Sequence, residues 1–186
     1  MGTIKTYQGD SSASTRVEVW KWTMEYVKTH PMGGGFEAYR QNKIRYEKVN
    51  VVGEGNGSAT VERTTEVDSA RAYHSAYFEM LGEQGYFGLA LWLVINLAGI
   101  FRMEVLRQRY KKAEGEDAWI APLASALQSG HIIYLLGAAF IAIAFQPFVY
   151  MLIGAQIGLD TYCARKRAAS AWRPLRKPRR PAQVAA

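Results

Sequence analysis

The sequence of 186 residues contains a single cysteine, Cys163. One cysteine excludes an internal disulfide and any metal site built from several thiolates, and we expect no metal site in the chain. The first residues, Met1 to Gln8, also lack the apolar core of a secretory signal peptide. Any segment outside the cytoplasm would need a leader that these residues do not supply, so we expect a chain shortened at its N-terminus.

Charge is divided unequally along the chain. Residues 1–85 hold ten Lys or Arg and eleven Asp or Glu, whereas residues 86–186 hold thirteen and five. A basic half raises nucleic acid as a partner. Here, however, the basic residues fall into two clusters, 102–112 and 165–180, that flank apolar runs, which is the pattern of a membrane protein. We therefore expect membrane lipids as partners and no nucleic acid.

Three apolar segments are long enough, with short extensions, to predict membrane-spanning helices. They are residues 81–103, 119–144 and 148–163. Because Lys- and Arg-rich flanks stay cytoplasmic, the chain between the two basic clusters must cross twice and turn near Gln146-Pro147. Residues 1–80 then form an extracytoplasmic, mostly helical domain, and residues 165–186 form a basic cytoplasmic tail whose prolines predict disorder. The predicted fold class is an all-α membrane protein.

Few polar groups interrupt the predicted spans. Gln128 and His131 lie three residues apart on one face of the second span. An ionisable residue inside a membrane suggests a function, but a hydrogen bond between helices is the favoured interpretation for this pair. In the third span, Gly154 and Gly158 form a small-xxx-small pair that is suited to close helix packing.

The N-terminal part predicts a helix that begins after the capping residues at 10–12 and ends near Thr29. His30-Pro31 ends it, because the residue before a proline avoids the helical conformation. The apolar residues that share one face at helical spacing are Trp20, Met24 and Val27. Arg16 lies one turn before Trp20 on the same face, where its stem can cover apolar surface while its head reaches water.

A glycine-rich turn, Met32 to Gly35, precedes a predicted short helix over residues 36–46. Glycines that lead into a helix can present backbone N–H groups to an anion, although a plain turn is the favoured interpretation. The glycine cluster at 53–57 predicts a loop, and residues 60–67 predict a short strand.

The most specific pattern begins at His74. His74-Ser75, nine further residues and then Gly85-Tyr86-Phe87-Gly88 fit the pattern H-[N/S/Q]-x9-G-x-x-[G/T/Y]. Further matches are the segment MGTIKTY at residues 1–7, DSSA at 10–13, Arg16 with Trp20, and HPMGGGF at 30–36. With these motifs, residues 1–165 resemble the O-antigen ligase and polymerase family, in particular the O-glycosylation ligases associated with the exosortase A system.

The resemblance implies a GT-C-like glycosyltransferase of the bacterial inner membrane. Such enzymes move a glycan from an undecaprenyl diphosphate carrier to an acceptor hydroxyl, without nucleotide, metal or another cofactor. His74 matches the motif histidine that acts on the acceptor hydroxyl as base or positioning group, and an imidazole titrates near neutral pH as a base should. Arg16 matches the arginine that engages the diphosphate, for which a guanidinium offers a bidentate fork. Further candidates for substrate binding are Arg71, Arg40, Gly34 and Gly35.

Family members carry many spans before this periplasmic loop, and residues 1–80 show none. The resemblance therefore implies the C-terminal portion of a ligase, with a missing N-terminal half as a partner. We expect the 186 residues alone to lack transferase activity, because the family draws other diphosphate ligands and much of its lipid groove from those spans. A polymerase, a non-catalytic membrane subunit that binds lipid-linked glycan, and an anchor whose basic tail attracts anionic lipid are the alternatives. The residues do not reveal the glycan or the acceptor.

Overall fold

A computed structural model describes residues 11–53 and 59–171 of the chain. Its elements are α1 (Ser11–Thr29), a 3₁₀ turn (Ala38–Gln41), β1 (Lys43–Gly53), β2 (Ala59–Ser69), α2 (Ala76–Tyr110), a 3₁₀ turn (Gly115–Asp117), α3 (Ile120–Ala138) and α4 (Pro147–Ala171). Helices dominate, which confirms the predicted class of all-α membrane protein. The described residues do not include the predicted cap Asp10, the matches at 1–7, the predicted loop at 54–57 or the tail after 171.

Helix α1 has the predicted bounds, and Pro31 follows its last residue by two positions. The side that it buries is different from the predicted one. The buried residues are spaced four apart and are Thr15, Val19, Thr23 and Val27. Met24 is 52% exposed and Trp20 is half-buried. The predicted stripe of Trp20, Met24 and Val27 was therefore wrong, because the buried face is centred one residue earlier along the helix and threonine takes part in it.

The predicted helix over residues 36–46 was also wrong. Only the short 3₁₀ turn forms there, and β1 then pairs with β2 in an antiparallel hairpin in which Lys43 lies opposite Ser69. β2 contains the strand predicted at 60–67. Ile44 is buried against Val19 and Tyr73, so a contact with α1 and the partner strand together outweigh the helical propensity of this segment.

Helix α2 consists of two parts joined at Gly85, whose backbone is non-helical (φ 65°, ψ −166°). This conformation is essentially restricted to glycine. After the kink, large apolar side chains point outward from the protein; they are Phe87, Leu91, Val94, Leu97 and Phe101. An apolar stripe of this size on a helix surface is typical of a face that contacts lipid or another helix.

Two of the described helical segments, Ala76–Tyr110 and Gly115–Ala138, are long and apolar enough to cross a membrane. The second ends six residues earlier than the predicted bound of 144, and α4 begins at Pro147, one residue before the predicted bound of 148. α4 carries Asp160 and is less apolar, so its crossing of a membrane stays a prediction. Because α4 continues to Ala171, residues 165–171 of the predicted disordered tail are helical.

The polar residues of the predicted spans hold the three helices together. The buried ring of His131 on α3 lies 2.8 Å from Asn96 Oδ1 on α2 and 3.1 Å from Gln156 Oε1 on α4. The Gln128 amide donates a long bond of 3.4 Å to Ile100 O. A hydrogen bond between helices, the interpretation favoured for Gln128 and His131, therefore accounts for both. Gly154 and Gly158 face open space, so a helix that packs on them stays a prediction.

The two basic segments of the chain lie at one end of this helical bundle. There, Lys166 Nζ on α4 lies 2.6 Å from Asp117 Oδ1 in the loop before α3, and Arg102 on α2 pairs with Asp160 on α4 at 2.7 Å. The opposite end carries the α3–α4 turn, residues 139–146, and the start of α2 with His74. The described parts of the two clusters, residues 102–112 and 165–171, therefore lie at the same end of the helices, and the predicted crossing pattern stays a prediction.

Candidate active site

His74 lies immediately before α2, between the buried residues Tyr73 and Ser75. Its own side chain is exposed, and its backbone has a left-handed φ of 51°. Histidine tolerates this conformation better than most residues, but a non-glycine residue held there needs support from its surroundings, and such residues cluster at functional sites. The turn directs the imidazole away from the hydrophobic core that its two neighbours enter.

Trp20 connects α1 to the His74 segment. Its indole Nε1 donates a hydrogen bond of 2.8 Å to the carbonyl oxygen of Tyr73, and its ring stacks on Phe78 with centroids 4.9 Å apart. Arg16 lies one turn before Trp20 on α1, so residues four apart share this side of the helix. The spacing of Arg16 and Trp20 in the sequence therefore places Arg16 on the side of α1 that contacts the His74 segment.

The electrostatics of His74 show that the two groups interact. The pKa of His74 is lowered from its ordinary value, first by desolvation and then by the positive charges of Arg16 and Arg71. Each of these effects disfavours the imidazolium. His74 is therefore a neutral imidazole near pH 7, which is the form that accepts a proton.

Arg71 also contributes charge near His74, but its side chain and backbone form hydrogen bonds with other residues. Its Nε donates to Asp68, and its backbone N–H and carbonyl exchange hydrogen bonds of 3.0 and 2.7 Å with the Asn42 side chain. These bonds close the base of the hairpin just before His74. Arg71 therefore contributes positive charge to the site and also holds the segment that leads into it.

Arg40 does not join this group. Its guanidinium lies 3.0 Å from the Glu37 carboxylate on the 3₁₀ turn, and its side chain is 64% exposed. A hydrogen bond with Tyr39 and the charge of Glu37 raise the pKa of Arg40. The structure thus brings together Arg16, Arg71 and His74, and leaves Arg40 as an exposed ion pair.

The glycine-rich turn packs directly against the first part of α2. Gly34 N and Gly35 N each donate a hydrogen bond of 2.9 Å, to Gly82 O and Glu83 O respectively, and Tyr86 N donates to Pro31 O at 3.0 Å. The predicted anion-binding role of Gly34 and Gly35 is corrected by these contacts, because both N–H groups already have carbonyl partners. The plain turn, which was the favoured interpretation, describes them.

This packing explains the glycines of the His74 motif. A Cβ on Gly85 would lie 2.1 Å from Pro31 O, and one on Gly33 would lie 2.4 Å from Glu83 O. The backbone of the glycine-rich turn is therefore in direct contact with the backbone of α2 at Gly33 and Gly85. A Cβ on Gly82 would lie 2.3 Å from the Tyr73 hydroxyl, so a third glycine makes room for the side chain that precedes His74.

Two residues without a predicted role take part in this arrangement. Glu83 is buried and its Oε1 accepts the N–H of Glu37 at 2.9 Å, so one side chain holds the turn to α2. The buried hydroxyl of Tyr73 has no hydrogen-bond partner among the described residues, and burial raises the pKa of this phenol. A signal for Glu83 was present in the sequence, because an acidic residue directly before an apolar span needs a partner.

A comparison with known protein families identifies the family of this chain. The sequence model of a family described as O-antigen ligase matches residues 1–93, which is half of the chain. The match includes α1, the hairpin, the His74 motif and the first apolar turns after the kink. The chain therefore belongs to the O-antigen ligase family, a group of membrane proteins with glycan ligase or polymerase functions. No curated protein and no solved structure matches it.

Proposed function

We propose that this chain provides catalytic residues of a bacterial inner-membrane ligase, with His74 for the acceptor and Arg16 for the leaving group. The donor is a glycan on undecaprenyl diphosphate, and the acceptor is a hydroxyl group. The observation that carries the proposal is the bond from Trp20 to Tyr73 O, which joins the helix of Arg16 to the turn of His74 within a family of glycan ligases. The likeness of residues 1–165 to ligases of the exosortase A system supports a place in such a polysaccharide pathway.

His74 acts on the acceptor. The hydroxyl oxygen forms a bond to the anomeric carbon of the glycan, and the hydroxyl proton moves to the neutral imidazole. Proton removal by a well-placed side chain contributes roughly 10²- to 10⁴-fold to a rate. The lowered pKa keeps the imidazole unprotonated at neutral pH, so the base is ready before the acceptor arrives.

Arg16 acts on the leaving group. As the bond from the anomeric carbon to the diphosphate oxygen breaks, its electron pair stays on undecaprenyl diphosphate and negative charge develops there. A guanidinium binds such oxygens with two parallel, charge-assisted hydrogen bonds. Arg71 adds a second positive charge beside His74, although its side chain is shared with Asp68. Arg40 remains a candidate ligand for a more distal part of the donor.

Substitution in the gene that encodes this chain tests the proposal. His74→Ala and Arg16→Ala are each expected to remove most glycan transfer while the protein level stays normal. Arg16→Lys is expected to fail as well, because a point charge does not reproduce the bidentate fork. Matched controls are His30→Ala, an exposed histidine that stacks on Tyr26, and Lys28→Ala, an exposed cation on the same helix that pairs with Glu25. Normal transfer in either His74→Ala or Arg16→Ala would exclude that residue from the site.

The acceptor distinguishes the two functions within the family. A ligase attaches the glycan to a molecule of another kind, whereas a polymerase attaches it to a second lipid-linked glycan. In a strain with His74→Ala, loss of the ligated product with accumulation of full-length lipid-linked polymer supports the ligase. Accumulation of single repeat units would identify a polymerase instead.

A further inference from the structure

The turn between α3 and α4 has backbone acceptors for the N–H groups of Ala139, Phe140 and Gln146, and side chains provide further partners for its backbone. Residues 139–146 are not helical, so their N–H and carbonyl groups need other partners at a place where the helices leave an apolar environment. Three tyrosine hydroxyls donate to carbonyls in and beside this turn. Their bonds are Tyr77 to Leu135 O at 3.0 Å, Tyr134 to Ile143 O at 2.9 Å, and Tyr150 to Ala144 O at 3.2 Å.

One acidic side chain accepts a hydrogen bond from a backbone N–H of the same turn. The N–H of the buried residue Ala144 donates to Glu79 Oε2 at 2.8 Å. Glu79 is half-buried and lies in the first turn of α2. A carboxylate that accepts a backbone N–H makes a stronger bond than a neutral pair does, and an acidic residue at this position also interacts favourably with the N-terminus of its helix.

Glu79 is linked to His74 through the backbone. Its own N–H donates to the carbonyl oxygen of Ser75 at 2.9 Å, and Ser75 follows His74 directly. On the other side of α2, the glycine-rich turn that packs on residues 82–85 continues to Phe36, whose ring meets Phe145 edge-on with centroids 5.1 Å apart. The α3–α4 turn therefore contacts both the helix that carries His74 and the turn that packs against that helix.

We propose that Glu79 is a positioning residue, whose bond to the Ala144 N–H fixes the His74 segment relative to the α3–α4 turn. The inference rests on the proposed function of His74. The role proposed for Glu79 is one of position, because its Oε2 accepts the N–H of Ala144 in the turn. A displacement of His74 by about 1 Å is enough to cost on the order of 10²-fold in rate, so this bond sets the position from which the imidazole reaches the acceptor.

The test compares four variants of the complete protein in the Cys163→Ser background. Glu79→Ala removes the acceptor, Glu79→Gln keeps an oxygen that accepts the same N–H without the charge, and Tyr134→Phe removes a hydrogen bond to the same turn without touching α2. His74→Ala reports on the proposed function itself. For each variant, protein level, glycan transfer and its pH profile are measured. Cross-linking between cysteines at positions 36 and 145 by a short bifunctional maleimide is measured in parallel.

The expected result is a loss of about tenfold or more in transfer and a clear loss of cross-linking for Glu79→Ala. We expect Glu79→Gln to keep cross-linking, transfer within about threefold of the parent and an unchanged pH profile, since one neutral hydrogen bond replaces a charged one. Tyr134→Phe is expected to retain transfer. If Glu79→Ala lowers the protein level, its transfer and cross-linking are compared with the parent per amount of protein, and undiminished values for both overturn the proposal.

Two outcomes would overturn the proposal. Full transfer in Glu79→Ala would show that the bond does not matter, and an inactive Glu79→Gln at normal protein level would show that the charge, rather than the hydrogen bond, is required. Cross-linking does not depend on transfer. Full transfer in His74→Ala would therefore refute the proposed function, whereas the response of the cross-link to Glu79→Ala would still report on the contact.

Discussion

The indole Nε1 of Trp20 donates a hydrogen bond of 2.8 Å to the carbonyl oxygen of Tyr73, the residue directly before His74. This one contact joins the helix that carries Arg16 to the turn that carries the motif histidine. It gives a structural reason for the four-residue spacing of Arg16 and Trp20, because one helical turn is the distance between the anchored indole and the guanidinium beside His74. The segments that carry Arg16 and His74 are thus linked by a bond from the Trp20 indole to a backbone carbonyl, and not by the charged groups themselves.

The first prediction concerns this bond. Trp20→Phe keeps a ring that can stack on Phe78 but removes the donor to Tyr73 O. A neutral hydrogen bond contributes roughly 1 kcal/mol, which corresponds to somewhat less than tenfold in rate, and the freed helix also displaces Arg16. We expect glycan transfer to fall about tenfold at normal protein level. Trp22→Phe is the matched control, since Trp22 lies on the same helix and stacks on Tyr26 instead; an equal loss in both variants would contradict a specific role of Trp20.

The second prediction concerns the kink in α2. Gly85→Ala is expected to lower the amount of folded protein strongly, because the added Cβ would lie 2.1 Å from Pro31 O and the backbone has a φ of 65°. A non-glycine residue in such a conformation costs on the order of 1–3 kcal/mol before the clash is counted. Gly137→Ala is the control: this glycine lies in α3 with open space around it, and alanine favours a helix by about 1 kcal/mol. Protein level and thermal unfolding in detergent measure the difference, and equal stability of the two variants would contradict the packing described for Gly85.

The third prediction concerns pH. Because the pKa of His74 is lowered below 6.5 by desolvation, Arg16 and Arg71, the neutral imidazole should persist into mildly acidic solution. Transfer is expected to fall only as the pH drops through this lowered pKa. The folded state also binds a proton at His74 less readily than the unfolded chain, so the stability contributed by this group is present above the unfolded pKa and is lost as the pH falls below it.

Substitutions of Arg16 distinguish the effect of its charge on the pH–rate profile from the effect of its bidentate geometry on the rate. Arg16→Gln removes one of the positive charges that lower the pKa, so the acid limb of the pH–rate profile of the residual activity should move upward. Arg16→Lys keeps the charge and should leave the limb in place despite its low rate. Lys28→Gln, on the far end of α1, serves as control. An unshifted limb in Arg16→Gln would show that Arg16 does not influence the titrating group.

The sequence predicted the parts of this fold that depend on local signals. The start of α1 was predicted from its capping residues, its end from His30-Pro31, and the apolar helices from their composition. The first strand of the hairpin was missed, because it forms where a short helix was predicted and its contact with α1 through Ile44 leaves no local signal that a pattern can detect. The stripe of α1 was misplaced, because Thr15 and Thr23 occupy buried positions that an apolar pattern skips.

Some features of the candidate site were also predictable from the sequence, and others were not. His74 and Arg16 were predicted from the family pattern and Arg71 from its position three residues before His74, and their roles stay predictions. The function of the glycines was not predictable, because Gly34, Gly35 and Gly85 matter through contacts between segments some fifty residues apart in the chain. Periodicity and composition carry no information on which backbone carbonyl a distant N–H will meet.

The last prediction concerns orientation. We expect His74 and the hairpin to face the periplasm and the end that carries Lys166 to face the cytoplasm, because Lys- and Arg-rich segments stay cytoplasmic and both of them lie at that end. Cysteines introduced singly at Ser69, Ser129 and Ser170 in a Cys163→Ser background test this. All three serine positions are exposed on the protein surface, so differences in labelling by a membrane-impermeant maleimide report on the membrane and not on burial. Position 69 should label in intact cells with a permeabilised outer membrane, position 170 only after the inner membrane is opened, and position 129, in the apolar helix α3, in neither case because it faces lipid. Labelling of position 170 without position 69 in intact cells would invert the orientation and would place His74 on the side opposite to a periplasmic acceptor.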